Sequence, residues 1–324
     1  ALYGYGDASF RMETQQDGVT PVVYVVYVDE TAAELRGANG YELYSNTYDA
    51  ALAAGVPLGY SDEIWFMVPE THVMNQDATI DGSLALGGGL TAMCGSDMLA
   101  FGVTDTMTDD TEYDGVTYAA LGPYAMDYET TYPWFIGDTF SGLTSSWAGA
   151  FMHELGHAFG LNHSFLNDRN QEGNLMGNGL RGFRGWVYPD TYTDNYTRLA
   201  AQAALHLSYS PYFTTPPVVQ DDQSVPSLTI TTSGTVTPQN GVITVSYTAS
   251  DPDGLAFATL YRGGDVVANE ELSGTYVSSS FVTEYWEPGT TTRYYISVWD
   301  ADGNRLFPQT NYTDITIGTG YNQA

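Results

Sequence analysis

The sequence predicts an α/β (α+β) domain followed by an all-β antiparallel sandwich, with the boundary placed between residues 216 and 217. Three observations predict it. Strand-like and helix-like runs alternate over roughly the first 210 residues, as in a mixed sheet covered by helices. Pro211, Pro216, Pro217 and Pro226 then interrupt any helix. Beyond them the period drops to two, in short runs rich in Val, Ile, Thr and Tyr.

The elements follow in order. PVVYVVYVD, residues 21–29, is β-branched and aromatic and reads as a buried strand. TAAELRGANGYELYSNTYDAALAAG, residues 31–55, is built of helix formers and stops at Gly55. EIWFMVP, residues 63–69, reads as a second strand, and MLAFGVTDT, residues 98–106, as a third. Between them GGGLTAMCGSD, residues 87–97, reads as a loop, without the glycine spacing and following helix of a nucleotide-binding turn. A helix is expected over residues 144–159, opened by the hydroxyls of TSS, and another over residues 193–209, closing the domain. Six or seven strands are expected after residue 217, in LTITTSGTVTP, GVITVSYTASDPDG, FATLYRGGDVVANEE, YVSSSFVTEYWEPG, TTRYYISVWDADGN and TNYTDITIG. Their pattern resembles bacterial Ig-like and fibronectin-like modules.

Composition narrows the function. Thirty-nine acidic residues against nine basic ones, all Arg, give a formal charge of -30. Such a field repels nucleic acid and anionic lipid. The charge is spread along the chain, as on a solvated acidic surface. The single cysteine, Cys94, rules out an internal disulfide and reads as a small buried hydrophobe. No apolar run is long enough for a membrane span. The opening ALYGYGD reads as the start of a secreted bacterial protein processed from a precursor.

Three of the five histidines fall within FMHELGHAFGLNHS, residues 151–164. On a helix, His153 and His157 project from one face a turn apart and can share one ion. Glu154 beside them can take a proton from water without occupying a coordination position. Gly160 lets the chain turn sharply, so that His163 can return as a third nitrogen ligand. Three imidazoles and an open position suit Zn²⁺. At this chain's own His and Gly frequencies, HExxHxxGxxH would arise by chance with a probability of about 10⁻⁵ or less.

HELGHAFGLNH resembles the signature of the metzincin zinc endopeptidases, which is followed by a methionine-containing turn. Met176 in GNLMGNG fills that place. The resemblance implies a twisted mixed sheet carrying an active-site helix, zinc held by His153, His157 and His163, Glu154 as general base, and a protein or glycoprotein substrate. Some branches place a Tyr two residues after the Met. Here Asn178 stands there, and Tyr188 is the candidate for the oxyanion or substrate role.

Several alternatives remain open at this level. Glu172 falls at a spacing at which other HExxH peptidases take a carboxylate as third ligand, although that scheme has no use for Gly160 or His163. Asp168, Asn170 and Glu172 alternate like the start of a calcium loop, but Gly179 stands where a bidentate Glu is expected. DPDG, residues 251–254, and DADGN, residues 300–304, read as turns, with calcium corners as the second reading. The competing function is a carbohydrate- or glycoprotein-binding adhesion protein with a silent peptidase-like domain, in which Trp286 and Trp299 stack on sugars.

Overall fold

The structure is a computed structural model. It describes residues 12–37, 40–58, 63–71, 85–96, 112–113, 116–117, 140–164, 174–177, 179, 197–210, 212–213, 224–239, 241–263, 265–284, 288–306 and 311–319. The chain forms two compact units, one drawn from residues 11–161 and 167–200, the other holding residues 201–324 with Asn162–Leu166.

In the first unit, α1 (Ala32–Gly37) begins with a reciprocal cap. Glu34 N–H donates to Thr31 Oγ1 at 3.3 Å, and the Glu34 carboxylate accepts from Thr31 N–H at 2.9 Å. α2 (Gly40–Ala53) follows, so the predicted helix of residues 31–55 is two helices. Leu43 and Ala51, eight positions apart on α2, both face inward. Leu43 packs with Leu35, Met67 and Met93, while Ala51 packs with Val56 and Leu58.

The sheet beneath them has the order β1 (Trp65–Met67), β3 (Thr91–Cys94), β2 (Ala85–Gly88). β3 runs parallel to β1 and antiparallel to β2, so the sheet is mixed. Two expectations are corrected here. The glycine-rich stretch is a hairpin rather than a loop: Gly89 and Leu90, at φ of 58° and 72°, form a two-residue turn of the kind that requires positive φ at both centres. All four residues of β3 are buried, which accounts for the inaccessibility of Cys94. In turn, residues 22–28 form no strand; Val23, Tyr24, Val25 and Tyr27 are exposed, and Val26 packs against the Ala51 cluster. The expected strand at residues 98–106 lies outside the described residues. β4 (Glu112–Tyr113) and β5 (Val116–Thr117) form a small separate pair.

α3 (Phe140–Ala158) carries the histidine motif and packs on β2 and β3. Phe151 meets Phe66 edge to face at 4.3 Å. At Gly87 a Cβ would overlap the Glu154 carbonyl oxygen and stand 2.7 Å from its carbon, so strand and helix backbones touch. Among the described residues no helix is long and apolar enough to cross a membrane.

In the second unit, α4 (Ala201–Tyr209) is shorter than the predicted helix of residues 193–209. Residues 197–200 are drawn out of helical geometry by hydrogen bonds to residues 174 and 175. One sheet has the order β10 (Asp265–Glu271), β9 (Leu255–Arg262), β12 (Thr291–Asp300), β14 (Tyr312–Ile317), β7 (Gly234–Val236), with β13 (Arg305–Leu306) on β12. The other has β11 (Tyr276–Glu284), β8 (Val242–Ser250), β6 (Ser227–Ile230). Alternate inward residues of both sheets, including Val245, Tyr247, Leu260, Phe281, Tyr294 and Ile296, share one apolar core. The pairing is antiparallel except where β14 meets β7 in parallel. Trp299 is buried and stacks on Phe257 at 5.4 Å, which removes it as a sugar platform; Trp286 lies outside the described residues.

Candidate metal centre

α3 ends in a glycine-dependent stop. Gly160, at φ 83°, donates to His157 O at 2.9 Å, and Leu161 N–H reaches back to Gly156 O at 3.0 Å. These are the two bonds of a Schellman motif, and a side chain at the central position would resist the left-handed conformation. The turn presents Leu161 O to His157 Nδ1 at 2.8 Å. His153 Nδ1 is likewise 2.7 Å from Leu175 O.

These carbonyls fix the chemistry of the rings. A carbonyl oxygen only accepts, so each Nδ1 carries a hydrogen, and in the neutral ring the lone pair is on Nε2. The two Nε2 atoms stand 3.1 Å apart with the rings nearly perpendicular, at 88°. Two facing lone pairs repel unless a cation lies against both. His163 completes the group, the ligand atoms of His153, His157 and His163 all lying within 4.8 Å of one another. The donor set fits a metal that favours imidazole, and the carbonyls provide the outer hydrogen bonds that orient such ligands. His153 is buried, His157 is half-buried and His163 is exposed, leaving the group open on one side.

His163 is placed by its own backbone. Its carbonyl accepts from Val266 N–H at 3.0 Å, Ser164 bridges in parallel to Val266, and Gln202 Nε2 donates to Ser164 Oγ at 2.6 Å. Val266 lies on β10, the edge strand of its sheet, beside the irregularity in register between Val266 and Ala268.

Glu154 sits between its two histidine neighbours on α3, against β2. Burial pushes its carboxyl up to about 7, an effect partly offset by the hydrogen bond from Gly87 N–H.

Met176 is fully buried in a turn below the helix. Asn174 builds that turn: its carbonyl accepts from Gly177 and Gly179 at 2.9 and 3.0 Å, and its Oδ1 accepts from Met176 and Ala200 at 3.2 and 3.3 Å. The Met176 thioether occupies the space that a Cβ on Gly156 would take. The turn therefore supports the helix and, through Leu175 O, orients His153. Sequence reasoning missed Asn174, Gly87, Gln202 and Val266. The signal for Asn174 was weak, an amide ahead of a turn; backbone donors such as Val266 leave no signal in side-chain type.

Asp168, Asn170, Glu172 and Tyr188 lie outside the described residues. The structure brings together His153, His157 and His163 alongside Glu154, with Met176 beneath.

The family model Peptidase M66 matches residues 127–194, the stretch that holds all five of those residues. No curated protein sequence matches the chain. Among solved structures, wild-type OgpA from Akkermansia muciniphila superposes over 97% of this chain and 84% of its own, with a TM-score of 0.55 at 17% identity. Catalytically inactive OgpA in complex with an O-glycopeptide (glycodrosocin) substrate matches over 97% and 83%, with a TM-score of 0.54 at 16% identity. At these identities the likeness is one of fold.

Proposed function

We propose that this chain is a secreted zinc-dependent endopeptidase of metzincin type that hydrolyses peptide bonds of glycoproteins or other proteins, with the catalytic region within residues 1–216 and an Ig-like accessory region in residues 217–324. The observation that carries it is the pair of Nε2 atoms 3.1 Å apart, with a third imidazole inside 4.8 Å and a carboxylate next to them on the helix. The match of a peptidase family model over the same residues supports the reaction class. The fold shared with a protein crystallised on an O-glycopeptide substrate supports a glycoprotein as the substrate.

His153, His157 and His163 are the metal ligands in this reading. When bound, zinc supplies Lewis acidity toward the scissile carbonyl and activates water. Leu175 O and Leu161 O hold the His153 and His157 tautomers so that both Nε2 atoms stay available. Glu154 takes the proton of the attacking water and returns it to the leaving amine. Met176 packs its thioether against Gly156 beneath the helix, and Tyr188 is the candidate donor to the oxyanion. A silent binding protein has no need of a half-buried carboxylate between two ligands, so catalysis is the preferred reading.

The test is Glu154→Gln. The variant should retain one zinc per chain while turnover falls by at least roughly 10²-fold, the lower range for a general base. Substrates are an O-glycosylated peptide, its unglycosylated twin and casein, each with and without a chelator. A variant as active as the parent refutes the role of Glu154; cleavage unaffected by chelation refutes the metal mechanism.

A further inference from the structure

The two Asp-rich turns left unassigned by the peptidase reading lie side by side at one end of the second unit. Asp300 pairs with Leu255 across β12 and β9, and Ala301 N–H donates to Gly254 O at 2.9 Å. Each turn folds around its own carboxylate. Asp251 Oδ1 accepts from Asp253 N–H at 2.9 Å, and Asp300 Oδ1 accepts from Asp302 and Asn304 N–H at 2.9 and 2.7 Å. These bonds explain one oxygen of each group as turn chemistry.

The second oxygen of Asp300 is different. Asp300 is 1% exposed, Asp251 2% and Asn304 4%, and Asp300 Oδ2 has no hydrogen-bond partner among the described residues. No ion pair to either aspartate occurs among the described residues. Burial pushes the Asp300 carboxyl up; hydrogen bonding from the Asn304 side chain and from the Asn304 and Asp302 backbone opposes the shift, and the Asp251 charge adds to it. A buried carboxylate oxygen without a partner is costly. A cation satisfies the orphaned oxygen and offsets the charge of both groups at once.

We propose that Asp251 and Asp300, with the oxygens of the two turns around Asn304, form a calcium site at this end of the two-sheet unit. The donors are oxygens only, which selects a hard cation over zinc. Two carboxylates match a divalent charge, and irregular turn oxygens completed by water suit calcium better than the strict octahedron of magnesium. The site is separate from the histidine cluster and does not depend on the peptidase reading.

The experiment uses the full chain, stripped of calcium and resupplied with one equivalent of zinc, titrated with CaCl₂ by isothermal calorimetry. One equivalent should bind with Kd on the order of 10⁻⁴ M or tighter, as in extracellular calcium modules. Asp300→Asn and Asp251→Asn should each weaken binding at least 10-fold, a criterion equal to about 1.4 kcal/mol. Asp168→Ala should leave it unchanged. Should an aspartate variant fail to fold, amide exchange in the parent decides: calcium should slow exchange in peptides covering residues 251–255 and 300–304. Absence of saturable binding up to about 10 mM, well above the weakest such modules, overturns the proposal. So does binding that survives both substitutions, or protection confined to residues 165–173.

Discussion

Replacing Gly87 by Ala tests whether the contact between β2 and α3 is as close as described. The added Cβ would overlap the Glu154 carbonyl oxygen and lie 2.7 Å from its carbon and 2.9 Å from its Cα. All three atoms are helix backbone and cannot rotate aside, so strand and helix must part. Overpacking typically costs about 1–3 kcal/mol, and an unyielding obstacle puts this case at about 3 kcal/mol or more. For a unit of this size that corresponds to a fall in Tm of roughly 6–12 °C. Gly156→Ala is the internal control. There the Cβ meets the Met176 thioether, with Cε at 3.2 Å, and a flexible side chain can give way. The gain in helix propensity returns up to about 1 kcal/mol, leaving a net loss of about 1 kcal/mol. Urea unfolding followed by tryptophan fluorescence measures both. The reasoning fails if Gly87→Ala lies within about 0.5 kcal/mol of the parent, the usual range for an inconsequential surface change, or if Gly156→Ala is the more damaging of the two. Because parting the elements also moves Glu154, the Gly87 variant should lose turnover while zinc content is kept.

The remaining predictions address ligands, support and pH. His163→Ala should weaken zinc binding by more than the roughly 10–100-fold seen on losing an outer hydrogen-bond partner, measured by competition with a chromophoric chelator; full retention would point to Glu172. Met176→Ala should cost about 2–5 kcal/mol in urea unfolding, whereas Met176→Leu should cost less than about 1.5 kcal/mol. In calcium-free buffer, Asp300 binds its proton more tightly folded than unfolded, since its carboxyl is raised above 3.8. Its contribution to stability is therefore present below the unfolded value and is lost as pH rises through the folded one. Asp300→Asn should flatten that fall, and calcium should reverse the order of parent and variant at neutral pH. A melting series from acid to neutral pH, with and without calcium, checks both signs.

The sequence made the helix of the motif and the strands β8, β9 and β12 legible: β8 alternates in burial as a half-buried strand does, whereas β9 is buried along nearly its whole length. Other elements failed for separate physical reasons. Residues 22–28 have strand composition, but β propensity expresses fit to a pleated, half-buried surface, and only Val26 among the apolar side chains of that run is identified as packed into a cluster. The GGGLTAMC hairpin was hidden by its glycines, which signal a turn but not that four-residue strands flank it, one of them fully buried. Residues 197–200 continue a helical period, yet Leu175 N–H to Arg198 O at 2.7 Å and Ala200 N–H to Asn174 Oδ1 at 3.3 Å hold them extended. At the site, the ligand types were readable, whereas what fixes their tautomers is the main chain of Leu161 and Leu175, whose side chains say nothing about it.

The bond from Val266 to the carbonyl of His163 bears on how the chain can be dissected. A fragment ending near residue 200 would retain every letter of HELGHAFGLNH while discarding the amide that anchors its last histidine. Whatever affinity for zinc such a fragment kept would measure how far one helix and its glycine bend can preorganise three nitrogens unaided. The shortfall against the intact chain would be the contribution of a backbone group a hundred residues downstream.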